Sequence, residues 1–185
     1  MWSSQDSHWA STFAINTTAH YFLSVAFLPL LEAASRLDLG DGRQGRSEGR
    51  GVVIMTSSCA SMHNVTNVDL TSYATSKAAT DHLVKLLAAK FSRFYVRVVG
   101  INPGCKLAGS LKDGRGTHLL WFDRAVVPSN MNPVGQEGNM FSSLFDRVPA
   151  KRAGNEEDIA GTVLYLGSRA GVSWANLLFS VSGLT

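Results

Sequence analysis

Cysteine is scarce in this 185-residue chain, with two in all, proline occurs five times, and charged side chains make up only 17%. Two thiols, at positions 59 and 105, are too few and too far apart for a disulfide scaffold or a cysteine-based metal site. They fit a reducing compartment, so a cytoplasmic location is expected. His63, His82 and His118 lack the spacing of a metal-ligand set. The net charge of +3 is modest, and Arg43, Arg46 and Arg50 alternate with Gly, Asp and Glu instead of forming a basic stripe, which argues against a nucleic-acid partner. No Gly-x-Ser-x-Gly elbow exists. Ser58 with His63 or His82 and Asp81 therefore makes a poor hydrolase triad, the more so because Asp81 and His82 are neighbours facing different sides of a helix. Two glycosylation tripeptides, beginning at Asn16 and Asn64, carry no weight without a secretory signal. No internal repeat is visible.

Charge is missing altogether from residues 10–31, a stretch long enough to cross a membrane. Its chemistry argues otherwise. Asn16, Thr17, Thr18, His20, Tyr21 and Ser24 are dense polar groups, Pro29 interrupts the run, and no basic segment precedes it as a signal peptide requires. The reading is a long, mostly buried helix and no membrane partner. Left exposed without a partner, such a helix would be an aggregation hazard.

What is present begins with residues 51–58, a short β-branched run that ends in Thr56-Ser57-Ser58. It reads as a buried strand with hydroxyls at its carboxyl end, the edge at which open α/β sheets bind ligands. Shortly downstream, Tyr73 and Lys77 stand four residues apart in a helical stretch, so both heads face the same way. A phenol with an ordinary pKa near ~10 gives up a proton at neutral pH only when something stabilises the phenolate, and a nearby ammonium does that. The pair is a candidate proton donor for carbonyl reduction. Taken alone, it also describes a half-buried tyrosine beside a snorkelling lysine.

Three ordered segments decide the context: Val52-Val53-Ile54-Met55-Thr56-Ser57-Ser58, then Ser72-Tyr73-Ala74-Thr75-Ser76-Lys77-Ala78-Ala79, then Val96-Arg97-Val98-Val99-Gly100-Ile101-Asn102-Pro103-Gly104. Together they resemble the short-chain dehydrogenase/reductase family. Trp9 with Phe13-Ala14-Ile15-Asn16, and Arg152-Ala153-Gly154 with Glu156-Glu157-Asp158-Ile159-Ala160, are similar to further family segments. The resemblance implies an α/β fold of partial Rossmann type, with a doubly wound parallel sheet, and an NAD(P)-dependent oxidoreductase acting on a small-molecule alcohol or carbonyl. It implies that Tyr73 is the general acid/base and that Lys77 lowers its pKa and holds the ribose of NADP or NAD. Ser58 would polarise the substrate carbonyl. Because it lies fifteen residues before Tyr73, slightly further than the family spacing, Ser57 and Ser61 remain competitors. Asn16 would sit where its helix is disturbed and hold a water leading from Lys77 to bulk solvent, and Pro103 and Gly104 would pass beside the nicotinamide. The resemblance also implies a homo-oligomer built through helices 9–35 and 72–92.

The family's cofactor site further needs a first strand, a glycine-rich turn and a helix whose N-terminus meets the pyrophosphate. The sequence reads as a single incomplete domain over 1–185 that begins after that unit. Gly40-Asp41-Gly42-Arg43-Gln44-Gly45 matches the fingerprint in spacing only, since no strand precedes it and no helical pattern follows; it reads as a flexible basic loop. Residues 105–126 read as an insert or irregular loop, and the segment after Gly171 departs from the family ending. The expectation is an alternative or mispredicted product of a dehydrogenase gene. Its counterpart is a catalytically inactive fragment that serves at most as a helix-mediated partner of longer relatives.

The remaining elements follow from periodicity. Residues 72–92 form a helix with an apolar stripe at Leu83, Leu86, Leu87 and Phe91, and 95–101 form the next strand. Residues 155–168 form a helix with Asn155 as N-cap, acidic groups in its first turn and an apolar face at Ile159, Val163 and Leu166. Residues 177–181 are a candidate closing strand.

Overall fold

The computed structural model describes residues 4–62, 69–104, 154–173 and 178–179. The expected insert at 105–126, the motif residues Arg152 and Ala153, and Cys105, His63 and His118 lie outside them. In chain order the elements are α1 (Asp6–Phe13), α2 (Ala19–Arg36), β1 (Val52–Thr56), α3 (Thr71–Phe91), β2 (Arg97–Ile101), α4 (Glu156–Gly167) and β3 (Leu178–Phe179). The strands make one sheet in the order β1-β2-β3, parallel throughout, with Val52 opposite Arg97 and Thr56 opposite Ile101. Parallel strands need crossover helices, and those helices cover both sheet faces.

Strand alternation sorts the core into two halves. Val53, Met55, Val96 and Val98 pack with Val84, Leu87, Ala88 and Phe91 of α3 and with Leu28 and Leu31 of α2. On the other side, Val52, Ile54, Val99 and Ile101 pack with Ile159 and Leu166 of α4. Helices thus lie on both faces of a parallel sheet, the doubly wound α/β arrangement expected from the sequence.

Helix ends follow local chemistry. Asn155 caps α4 by accepting the Asp158 N–H at 3.0 Å, and Asp158 accepts the Asn155 N–H at 2.8 Å, a reciprocal capping box. At the start of α3, the Asp69 carboxylate accepts the Thr71 hydroxyl at 2.8 Å. Both helix stripes need correcting in part. Leu86 is exposed and Val84 takes its place in the core of α3, while Val163 of α4 is exposed and the buried contact falls to Leu166 with Ile159. A period of 3.6 leaves two adjacent apolar rows on these helices, and the sheet selects one.

The long N-terminal helix differs more. It is not mostly buried: in α2 only Ser24 and Ser35 are buried, and Ile15, Phe22, Phe27 and Leu30 are more than half exposed. Only its narrow Leu28 and Leu31 stripe reaches the sheet core. By length and composition alone Asp6–Arg36 is apolar enough to cross a membrane. Between α1 and α2 one π-helical turn, Ala14–Thr18, widens the helix, and this stretch is hydrogen-bonded to α3.

The glycine-rich segment before β1 is a connection between α2 and β1 with hydrogen bonds of its own. A hydrogen-bonded reversal joins Leu37 to Gly45 and a 3-10 turn, Gly45–Glu48, follows. A Cβ at Gly45 would overlap the Ala34 carbonyl, and one at Gly51, whose φ is 72°, would overlap the Ser35 hydroxyl. These glycines allow the chain to turn tightly against the end of α2. Their place is the amino edge of β1.

Candidate active site

At the opposite, carboxyl edge, four elements converge. Lys77 is buried on α3, and its Nζ donates to the Thr56 carbonyl at the end of β1, 2.9 Å away. The same ammonium lies over the Tyr73 ring, 5.7 Å from its centroid. The two side chains therefore share one side of the helix, as i and i+4 residues should. Burial, the larger influence, pushes the Lys77 pKa below the usual lysine value, and the negative charge of Asp81 one turn further on pulls it back up.

The three serines of the strand end have different partners. Ser57, 3% exposed, donates its hydroxyl to the Lys77 carbonyl at 2.9 Å and so fastens β1 to α3. Ser61 Oγ accepts from the Asn102 amide at 3.3 Å. Ser58 Oγ accepts the Ala60 N–H at 3.1 Å, which uses a lone pair and not the hydroxyl hydrogen. Ser57 is thus committed to the scaffold, which favours Ser58 over it as the polarising hydroxyl.

Asn16 lies inside the π turn, at the disturbed point of the helix. Its Nδ2 donates to Ser76 Oγ at 3.0 Å, and its carbonyl accepts the Thr80 hydroxyl at 2.6 Å. Thr17 donates to the Ser76 carbonyl at 2.9 Å, so three bonds hold the turn on α3 within a turn of Lys77. His20 is half-buried one turn beyond Asn16, and its Nδ1 is buried without a hydrogen-bond partner. Burial first, and then the Lys77 charge, hold its pKa below the usual 6.5, opposed by the Asn16 backbone.

Pro103 and Gly104 continue β2 past the sheet edge. The Ser57 N–H donates to the Ile101 carbonyl at 2.8 Å and the Cys59 N–H to the Pro103 carbonyl at 3.1 Å, which ties the two strand ends together. Gly104 has φ 131°, and a Cβ there would meet Cys59 Sγ at 2.5 Å. All six residues singled out in the sequence therefore lie on the segments that meet at this edge. Sequence reasoning assigned no role at this edge to Asp81, Asn102, Thr80 or His20; burial sets the first three apart, and an unpartnered Nδ1 the fourth.

Residues 2–115 match the family model for short chain dehydrogenase. The chain belongs to the short-chain dehydrogenase family. It is 32% identical over 179 residues to a short-chain dehydrogenase/reductase of Stachybotrys chartarum, covering 93% of this chain and 59% of that protein. It is likewise 32% identical over 136 residues to the 7alpha-hydroxysteroid dehydrogenase of Escherichia coli, covering 73% of this chain and 44% of that one. The chain thus spans about half the length of these curated relatives. A solved 7 alpha-hydroxysteroid dehydrogenase complexed with NADH and 7-oxo glycochenodeoxycholic acid shares the fold, with a TM-score of 0.72 and 23% identity over 98% of this chain and 56% of that one. The same fold is seen in a short chain dehydrogenase from Burkholderia cenocepacia solved with NADP and in a 3-oxoacyl-[acyl-carrier protein] reductase from Brucella melitensis solved with NAD, at TM-scores of 0.69 and 0.67.

For a nicotinamide cofactor, the donors at the carboxyl edge fit one end of the molecule. Lys77 Nζ and the Tyr73 hydroxyl are of the chemistry a ribose would need, and Pro103-Gly104 leave the same sheet edge. The glycines at 40–45 do not fit the phosphates, because they sit at the amino edge of β1. Among the described residues no strand, glycine turn and helix follow one another in the manner that cradles a pyrophosphate.

Proposed function

We propose that this chain carries the proton-handling part of an NAD(P)-dependent short-chain oxidoreductase, which interconverts an alcohol and a carbonyl compound. The observation that supports it most is the buried Lys77 ammonium over the Tyr73 ring at 5.7 Å, beside the hydroxyl-bearing end of β1. A bound nicotinamide supplies or accepts the hydride. In the reducing direction the Tyr73 hydroxyl gives its proton to the substrate oxygen, Lys77 stabilises the phenolate that remains, and Ser58 donates a hydrogen bond to the same oxygen. Lys77 would then pass a proton to the Tyr73 phenolate and be reprotonated from solvent through a water held by Asn16 in the widened turn. Tyr73 and Lys77 would also hold the cofactor ribose, with Pro103 and Gly104 beside the nicotinamide.

A second reading has its own support: an inactive chain that associates through helices α1, α2 and α3. The exposed apolar side chains of α2 favour it. Titration of the purified chain with NADPH and NADH, followed by fluorescence, separates the two. Micromolar binding together with turnover of a ketone or aldehyde panel upholds the oxidoreductase. Absence of binding at millimolar cofactor leaves the association reading, because each charge-assisted hydrogen bond lost from the phosphates is worth about 1.5–3 kcal/mol.

A further inference from the structure

Asp81 and Asn102 are both buried, at 8% and 0% exposure, and they meet behind the candidate site. The Asn102 Nδ2 lies 3.0 and 3.1 Å from the two carboxylate oxygens of Asp81, 3.2 Å from the Ser58 carbonyl and 3.3 Å from Ser61 Oγ. Its own Oδ1 is buried and has no hydrogen-bond partner. Leaving a buried acceptor unmet costs about 1–3 kcal/mol. The carboxylate explains why the amide keeps this orientation, since a flipped amide would press Oδ1 against a like partial charge.

We propose that Asp81 and Asn102 are a positioning couple, in which the carboxylate and amide lock the Ser58–Ser61 loop to α3 and set a fixed negative charge one turn from Lys77. Asn102 stands at the end of β2, Ser58 just past the end of β1, and Asp81 on α3, so this contact joins three of the four elements that converge at the candidate site. The proposal rests on the oxidoreductase reading for its purpose, while its physical content is independent of turnover. Among the described residues, the titratable groups shown to act on or lie against Lys77 besides Asp81 are Tyr73 on its own helix and His20 on α2. Of these only Asp81 offsets a buried ammonium with an opposite charge.

The test uses the full chain labelled with carbon-13 in its lysines, with the Lys77 signal assigned through Lys77→Arg. In Asp81→Asn, which keeps size and shape, the Lys77 titration should move to lower pH, and the amides from Ala60 to Ser61 should exchange with solvent about tenfold faster, the equivalent of one lost hydrogen bond of about 1.4 kcal/mol. In Asn102→Ala the exchange should quicken equally while the Lys77 titration stays in place or moves up, because the charge remains and is no longer shared. An unmoved Lys77 titration in Asp81→Asn, or unchanged exchange in Asn102→Ala, overturns the proposal. Should Asp81→Asn not fold, Asp81→Glu must keep the Lys77 titration and still release the loop; slow exchange there would equally defeat it. A chain that shows these shifts and reduces no carbonyl compound would sink the oxidoreductase reading and leave the couple standing.

Discussion

At the scale of single residues, the site depends on one phenol and the charges near it. On the proposed oxidoreductase reading, Tyr73→Phe removes the proton and keeps the ring beneath Lys77, so carbonyl reduction should fall by about 10²–10⁴-fold while the urea midpoint stays near that of the parent. Equal losses of activity and of folded protein would instead mark Tyr73 as a packing residue. His20 gives a pH test that needs no substrate. Its folded pKa is lowered, so between that value and 6.5 the unfolded chain binds more protons than the folded one. Stability should therefore fall as pH drops below about 6.5 and level off once pH passes below the folded value. Replacing the imidazole by the neutral amide of His20→Gln should flatten that acid-side slope, as read from urea midpoints at pH 7.5 and pH 5.5. An unchanged slope would show that other groups carry it.

Elements are held in place by a guanidinium whose role no local pattern marks. Arg97, at the first position of β2 and 9% exposed, donates through Nη1 to the Gly171 carbonyl at 2.6 Å and through Nη2 to the Gly49 and Leu166 carbonyls at 2.7 and 3.0 Å. One guanidinium thus joins the loop before β1, the carboxyl end of α4 and the turn after it, and it sits where the negative end of the α4 dipole favours a cation. Arg97→Leu should cost about 3 kcal/mol or more, because three buried carbonyls lose their donor at once. A loss within about 0.5 kcal/mol in a denaturant titration would mean that water replaces it without penalty. The same contrast marks what could be read from the sequence. The β-branched run ending in hydroxyls, the Tyr73 and Lys77 spacing and the Asn155 cap are local patterns, and each element lies within a residue or two of its expected place. Arg97, Asp81 and Asn102 act through partners 21 to 74 residues away, a separation at which local periodicity carries no information. For the same reason Leu86 and Val84 could not be ranked: only the position of the sheet tells which apolar row of α3 faces inward.

On the scale of the whole molecule, the unbalanced feature is the outer face of α2. Phe22 is 63% exposed, Leu30 67% and Phe27 54%, in a helix without a charged side chain before Glu32. Contiguous apolar surface of this kind is stable in water chiefly when another surface covers it. The π turn leaves that face outward, because Asn16, Thr17 and Thr80 hold the opposite side against α3. The intact chain should therefore self-associate at micromolar concentration, and sedimentation should give a mass well above that of the monomer. The double variant Phe22→Lys, Leu30→Lys places two like charges on the face and should shift the chain to monomer, with folded stability changed by no more than about 0.5 kcal/mol per exposed site. If covering the face also steadies α3, the monomeric variant should show faster amide exchange around Tyr73, since the same helix run is bonded to Ser76 and Thr80. A parent chain that sediments as a monomer would remove association from the account and leave the apolar face of α2 without a physical explanation.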